Sequence, residues 1–279
     1  MTNEASGPVA IGGIGGSGTR LAALLLRLLG CYLGDDLNGA MDNLWFTLLF
    51  KRQSVLVETG DALRRLTSLF FSRMTGIVEI SQAERTLLLR LAARDRPQHS
   101  RDWLRQRVIS FCDGNTSYRA NQMWGWKEPN THVVIDRIFE AAADLKYIHI
   151  VRHPIDMALS ANQNQLRNWG PTFLDRAVEI EPRDSLSYWC AVHRRIMNIR
   201  QTWPQRVMII YIESLSAEPE LFCREIAQFC RVGISDSVVS SFQKLLQRRA
   251  ALGRRQAVDP GKFEPADLEY LTQLGYNLP

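Results

Sequence analysis

Apolar residues fall along this chain in two patterns. Short continuous runs occur at Val9–Ile11, at KYIHIV (146–151) and at RVMIIYIESL (206–215). Runs of that length, bounded by polar or glycine-rich stretches, predict strands buried on both faces of a parallel sheet. Trp124 and Trp126 predict a further short strand that closes at Lys127-Glu128-Pro129. Elsewhere apolar residues recur at three- and four-residue spacing, the helical pattern. It covers Leu21–Leu29, most of 44–112, the segment after Pro129, IDMALSANQNQL after His153-Pro154, 183–203, and EPELFCREIAQFCRV with Pro219 in its first turn. The order of elements predicts an α/β fold: a parallel sheet of about four to five strands flanked by helices. A helical insertion over about 35–121 follows the first β-α unit, and residues 1–279 read as one domain.

The first strand runs into Gly12, Gly13, Gly15, Gly16 and Gly18, and a helix follows. Glycines let backbone amides approach an anion, and a helix start adds unpaired N–H groups and a positive dipole end. Ser17 and Thr19 add hydroxyls, and Arg20 adds a fixed charge. The pattern resembles a nucleoside-triphosphate P-loop, so the predicted sheet is P-loop-NTPase-like. Gly13 and Gly18 take the two glycine positions, but Thr19-Arg20 stand where Lys-Ser/Thr belongs. The anion cradle is kept, and the groups for metal-assisted phosphoryl transfer are missing. No metal is expected.

Hydrophobic residues make up 46% of the chain and charged residues 23%, which is ordinary for a globular domain with a sizeable core. The net charge of +5 suits an anionic ligand and is too scattered for a nucleic-acid surface. Five cysteines, none in a CxxC pair, predict reduced thiols. The N-terminus has no secretory pattern, and the Leu21–Leu29 run, broken by Arg27, is too short to span a bilayer. A cytoplasmic protein is expected.

Arg152 supplies a second anchor. It ends the strand KYIHIV, and Ser160 follows eight residues later, inside the predicted helix. Ligands of open α/β sheets bind at that carboxyl edge, where an arginine and a hydroxyl can share one phosphate. Together with GGSGTR, WKEP and YIESL…P, this order of motifs resembles the sulfotransferases that use 3′-phosphoadenosine 5′-phosphosulfate (PAPS).

The resemblance covers about half the chain, as four islands, and implies roles for particular residues. Gly15, Gly16, Ser17, Gly18, Thr19 and Arg20 would hold the 5′-phosphosulfate, Arg152 and Ser160 the 3′-phosphate. Lys127 would face the transferred sulfonate and, with Arg20, balance charge on the leaving phosphate. Tyr211 would stack on adenine or serve the core. The basic loop with Arg254, Arg255 and Lys262 would reach the 3′-phosphate or form a solvated face. Two positions depart from the family pattern. Gly16 stands where a Lys or Arg is usual, and Pro129 where cytosolic members place a histidine base. Glu128 is the candidate base, with Asp35, Asp36 and His132 as rivals. The implied activity is metal-free, in-line transfer of a sulfuryl group to a hydroxyl or amine. The acceptor stays open among small molecules, carbohydrates, lipids and peptides. Two other readings fit the same loop: a catalytically silent nucleotide-binding or scaffold protein, and a metal-dependent kinase on a degenerate P-loop.

Overall fold

The computed structural model describes residues 7–77, 79–94, 96–247 and 259–276. Strand β1 (Val9–Gly13) leads through the glycine loop into α1 (Thr19–Leu28). Four helices follow: α2 (Leu44–Phe50), α3 (Gly60–Met74), α4 (Gln82–Ala92) and α5 (Arg101–Asp113). The chain returns to the sheet as β2 (Gly125–Lys127), then passes through α6 (Ile135–Ala141) to β3 (Lys146–Val151). Helices α7 (Pro154–Ala158), α8 (Asn164–Leu174) and α9 (Pro182–Thr202) precede β4 (Val207–Tyr211). Helices α10 (Ile212–Ala217), α11 (Pro219–Cys230), α12 (Asp236–Gln247) and α13 (Pro265–Gln273) complete the described chain.

The four strands are parallel and lie in the order β2-β1-β3-β4. Their registers align Ile11 with Lys127, Gly13 with Ile150, and Val151 with Tyr211. Lys127, the glycine loop, Arg152 and Tyr211 therefore share one carboxyl edge. From β1 the chain crosses to β2 on one side, and from β3 to β4 on the other. The crevice between β1 and β3 is the topological switch point where such sheets bind ligands.

Period-two alternation splits the core. Ala10, Trp126, Tyr147 and Val207 face a large cluster built by α2–α6, α8 and α9. Val9, Ile11, Ile148, Ile150 and Ile210 face α1 and α10–α12. The segment 44–113 packs on the first face because its apolar stripes cannot be buried otherwise: Phe46 stacks on Trp126, and Phe70 meets it edge-on.

Two elements differ from the sequence pattern. The strand expected over 206–215 ends at Tyr211. Ile212 and Leu215, three apart and both fully buried, instead form one face of α10, and Ser214 Oγ donates to Tyr211 O at 2.7 Å. The helix expected to run through Ser160 stops at Ala158. Gln163 Nε2 donates to the carbonyls of Met157 and Ser160 at 3.0 and 2.7 Å, and Ser160 N tightens onto Met157 O at 3.2 Å, an i to i−3 bond that closes the helix. Gln163 is itself held by Ser185 Oγ of α9, at 2.8 Å. Ser160 thus lies in the turn after α7.

Among the described residues no helix is long and apolar enough to cross a membrane. The five cysteines are free, and all but Cys112 are buried.

Candidate functional site

The glycine loop is held from outside. Gln165 of α8 accepts from Gly15 N at 3.1 Å and donates to Gly13 O at 3.2 Å. Ser17 N closes a turn onto Ile14 O at 3.0 Å. The amides of Gly16, Gly18, Thr19 and Arg20 bond to no other described residue. A group of bare amides at the start of α1 suits an anion, which supplies the acceptors they lack.

Gly16 has φ 98° and Gly18 φ 94°, in the left-handed region that costs other residues strain. At Gly16 there is room for a side chain: a Cβ would stand 3.6 Å from Ser160 Oγ. Backbone conformation, not crowding, favours glycine over the usual basic residue there. At Gly18 a Cβ would meet Ile212 Cγ1 at 2.9 Å, so α10 packs directly on the loop.

Arg152 and Ser160 meet at the loop. Arg152 Nη1 donates to Gly16 O at 3.3 Å, and Nη2 pairs with Asp156 at 3.2 Å. Ser160 Oγ accepts from Asn162 N at 3.2 Å and adjoins Gly16. The missing helical turn at Ser160 does not separate the two. Arg20 is exposed on the first turn of α1 and makes no ion pair among the described residues. Thr19 is buried at the same helix start. Ser17 is also buried; it lines a small void with His149 and His193, and its Oγ has no partner among the described residues. Tyr211, 42% exposed, ends β4, and Glu213 just beyond it accepts from His153 N at 2.7 Å.

Lys127 and Glu128 stand side by side at the end of β2, and Asp42 acts electrostatically on both. The Lys127 ammonium is buried, ion-paired with Asp42 and bonded to Ala40 O at 3.2 Å. Glu128 is fully buried, accepting from Asn130 N and from Asn130 Nδ2, the latter at 2.9 Å, with Lys51 Nζ 3.8 Å away. Burial raises its pKa; Lys51 opposes the shift and Asp42 adds to it. Its rivals are committed elsewhere. Asp35 accepts from Tyr32 and Ser117, and Asp36 pairs with Arg107 at 2.8 Å. His132 is fully buried between Pro129 O and Tyr188 Oη, and burial pushes its pKa down to about 4. Lys262 lies in a short turn before α13, whereas Arg254 and Arg255 lie outside the described residues.

Sequence reasoning overlooked Asp42, Gln165 and Asn162. The amide-rich string SANQNQL is the one local signal for the last two. Among the described residues no group of three or more His, Cys, Asp or Glu side chains is placed to hold a metal ion.

The sheet edge and loop define an α/β protein with a glycine loop at the switch point of a parallel sheet. Residues 8–236 match the family model described as "Sulfotransferase family", and the chain belongs to that family. Among solved structures it is similar to sulfotransferase STF9 from Mycobacterium avium, at 13% identity over 98% of this chain and 78% of that one, TM-score 0.51. It is also similar to the sulfotransferase domain of the Synechococcus PCC 7002 olefin synthase, at 16% identity over 98% and 97%, TM-score 0.43. Sulfotransferase STF1 from Mycobacterium tuberculosis H37Rv matches at 13% identity over 86% and 71%, TM-score 0.43. Comparison with curated proteins finds no match.

Proposed function

We propose that this chain is a cytoplasmic sulfotransferase domain spanning residues 1–279, with 35–121 as its helical insertion. It would carry a sulfuryl group from PAPS to a hydroxyl or amine by in-line transfer without a metal. The observation that supports this reading best is the meeting of Arg152 and Ser160 at Gly16, beside four amides with no partner among the described residues. PAPS, when bound, supplies the sulfuryl group: its bond from sulfur to the 5′-phosphate oxygen breaks as the bond from sulfur to the acceptor forms.

The chain's own work is positioning and charge balance. The amides of Gly16, Gly18, Thr19 and Arg20, with the Arg20 guanidinium, hold the 5′-phosphate and stabilise the charge it gains. Gly15 and Ser17 shape the loop, and Gln165 fixes Gly15. Arg152 and Ser160 hold the 3′-phosphate, and Tyr211 borders the adenine. The Lys127 ammonium has three donors, two already committed to Asp42 and Ala40, which leaves one for the sulfonate. Glu128 takes the acceptor's proton, and burial makes its carboxylate a stronger base.

The test is calorimetric titration with the product nucleotide, 3′-phosphoadenosine 5′-phosphate, against ATP with magnesium. Arg152→Ala should weaken the product nucleotide at least tenfold, the worth of a charge-assisted hydrogen bond, and change ATP far less. Equal losses for both would overturn the 3′-phosphate assignment. Tight ATP binding with magnesium-dependent turnover would put a kinase in its place.

A further inference from the structure

The helical segment and α8 enclose a cavity of about 520 Å³ on the Trp126 face of the sheet. Such a volume suits a small molecule. Among the described residues five cations line it, Lys51, Arg52, Arg90, Arg94 and Arg96, against one carboxylate, Glu58. Part of this charge is satisfied internally. Arg52 pairs with Glu58 at 2.8 Å, and Arg96 donates to the carbonyls of Thr47 and Leu48 at 2.7 Å each. Arg90 and Arg94 are exposed and make no ion pair among the described residues. Lys51 also lies 3.8 Å from Glu128, so among the described residues the positive excess of the cavity rests on Arg90, Arg94 and Arg96.

Its polar groups are incompletely satisfied as well. Arg52 Nη2, Gln98 Nε2, His99 Nε2 and Asn168 Oδ1 belong to lining residues, are buried, and have no partner among the described residues. Buried polar atoms are normally paired. These atoms sit behind the cavity surface, so the groups that face a ligand are the exposed Arg90 and Arg94 guanidinium groups at its rim.

The cavity also adjoins the proposed chemistry. Lys51, in its wall, lies 3.8 Å from Glu128 Oε1. Trp169, also in the wall, donates to Asn130 Oδ1 at 2.7 Å, and Asn130 donates to Glu128. Asn168 and Trp169 stand about one turn, roughly 5 Å, along α8 from Gln165, which grips the glycine loop.

We propose that this cavity is the acceptor site and that it takes a small anionic acceptor. Such a molecule bears a carboxylate, phosphate or sulfate group in addition to the hydroxyl or amine that receives the sulfuryl group. The assignment of the cavity to an acceptor rests on the sulfotransferase reading; the preference for an anion rests on the cavity alone.

The test titrates the whole protein with glucose 6-phosphate, glucuronate and glucose at constant ionic strength. Each titration is run with and without saturating 3′-phosphoadenosine 5′-phosphate. One or both anionic probes should bind at least tenfold tighter than glucose, whether or not the nucleotide is present, and their ranking separates a phosphate from a carboxylate preference. The double variant Arg90→Gln/Arg94→Gln changes only exposed side chains and should cut the anionic affinity about tenfold. Arg152→Ala should leave it unchanged. The proposal is overturned if glucose binds as well as the anions, if the double variant binds them undiminished, or if the nucleotide displaces them. Should the nucleotide fail to bind while the cavity behaves as expected, sulfotransfer falls, and the acceptor role with it, and an anion site remains.

Discussion

Lys127 and Asp42 form a nearly buried ion pair at the sheet edge, their side chains 3% and 20% exposed. Removing one member of such a pair strands the other. Asp42→Ala should therefore lower stability by about 3 kcal/mol, and Lys127→Met/Asp42→Ala should recover most of that loss in chemical denaturation. Turnover separates the two roles: Lys127→Met should fall roughly a hundredfold, and adding Asp42→Ala should not restore it. Stability that keeps falling in the double variant would mean that Asp42 holds the loop around Ala40 rather than the ammonium. Nothing local in the sequence gives this pairing away. The two residues are 85 apart, and the turn NGAMDN resembles any surface turn until the return of β2 brings Lys127 beside it. Arg152 and Ser160 were legible because a strand end and a short spacing place both on one edge, even though the helix between them is shorter than its pattern predicts.

At the scale of elements, α10 bears directly on the glycine loop through Ile212. Gly18→Ala would need a left-handed alanine and a displaced isoleucine. It should cost about 2–4 kcal/mol, read as a lower denaturation midpoint with an unchanged slope. Gly16→Ala, where only the backbone conformation resists, should cost less. Matching losses at the two sites would show that the contact with α10 contributes nothing. The boundary between β4 and α10 was hidden for a related reason. IIYIESL is compatible with period two and with period three or four, and only burial of Ile212 and Leu215 against α1 and α11 decides between them. Helices α2–α5 were legible as helices from their spacing. The cavity they help to form was not, because its cations are spread over Lys51–Arg52 and Arg90–Arg96 and meet only in three dimensions.

Across the whole molecule, three histidines lie in or beside the sheet. Burial pushes His132 and His193 down to about 4, and His149, which lies near both of them, also well below the usual imidazole range. Unfolded imidazoles take up protons near pH 6.5, whereas these stay neutral until about pH 4, so the unfolded state binds more protons in that window. Stability should fall as pH drops from about 6.5 towards 4. Glu128 acts in the opposite sense, since its raised pKa lets the folded state hold a proton more tightly. His99, outside the sheet, is likewise pushed down to about 4 by burial; four groups outweigh one, and Tm should drop on the order of 10 °C between pH 7 and 4.5. A flat thermal profile over that range would mean that the imidazoles are already charged or solvated. Composition alone does not suggest this sensitivity, because five histidines in 279 residues is a modest number and only the packing around α9 encloses His132, which meets Tyr188 Oη, and His193, which meets Tyr270 Oη.

Gln165 holds the glycine loop by a donor and an acceptor at once, from a helix that is anchored in the core by Leu166 and Trp169. A flexible loop would have to surrender its conformational freedom when a ligand arrives, and affinity would be reduced by that loss. Here the freedom is surrendered during folding, together with the docking of α8. Association should then proceed as it does for rigid partners, with little backbone rearrangement and a rate set by encounter and orientation. One amide side chain moves the ordering of the loop from the moment of binding to the moment of folding.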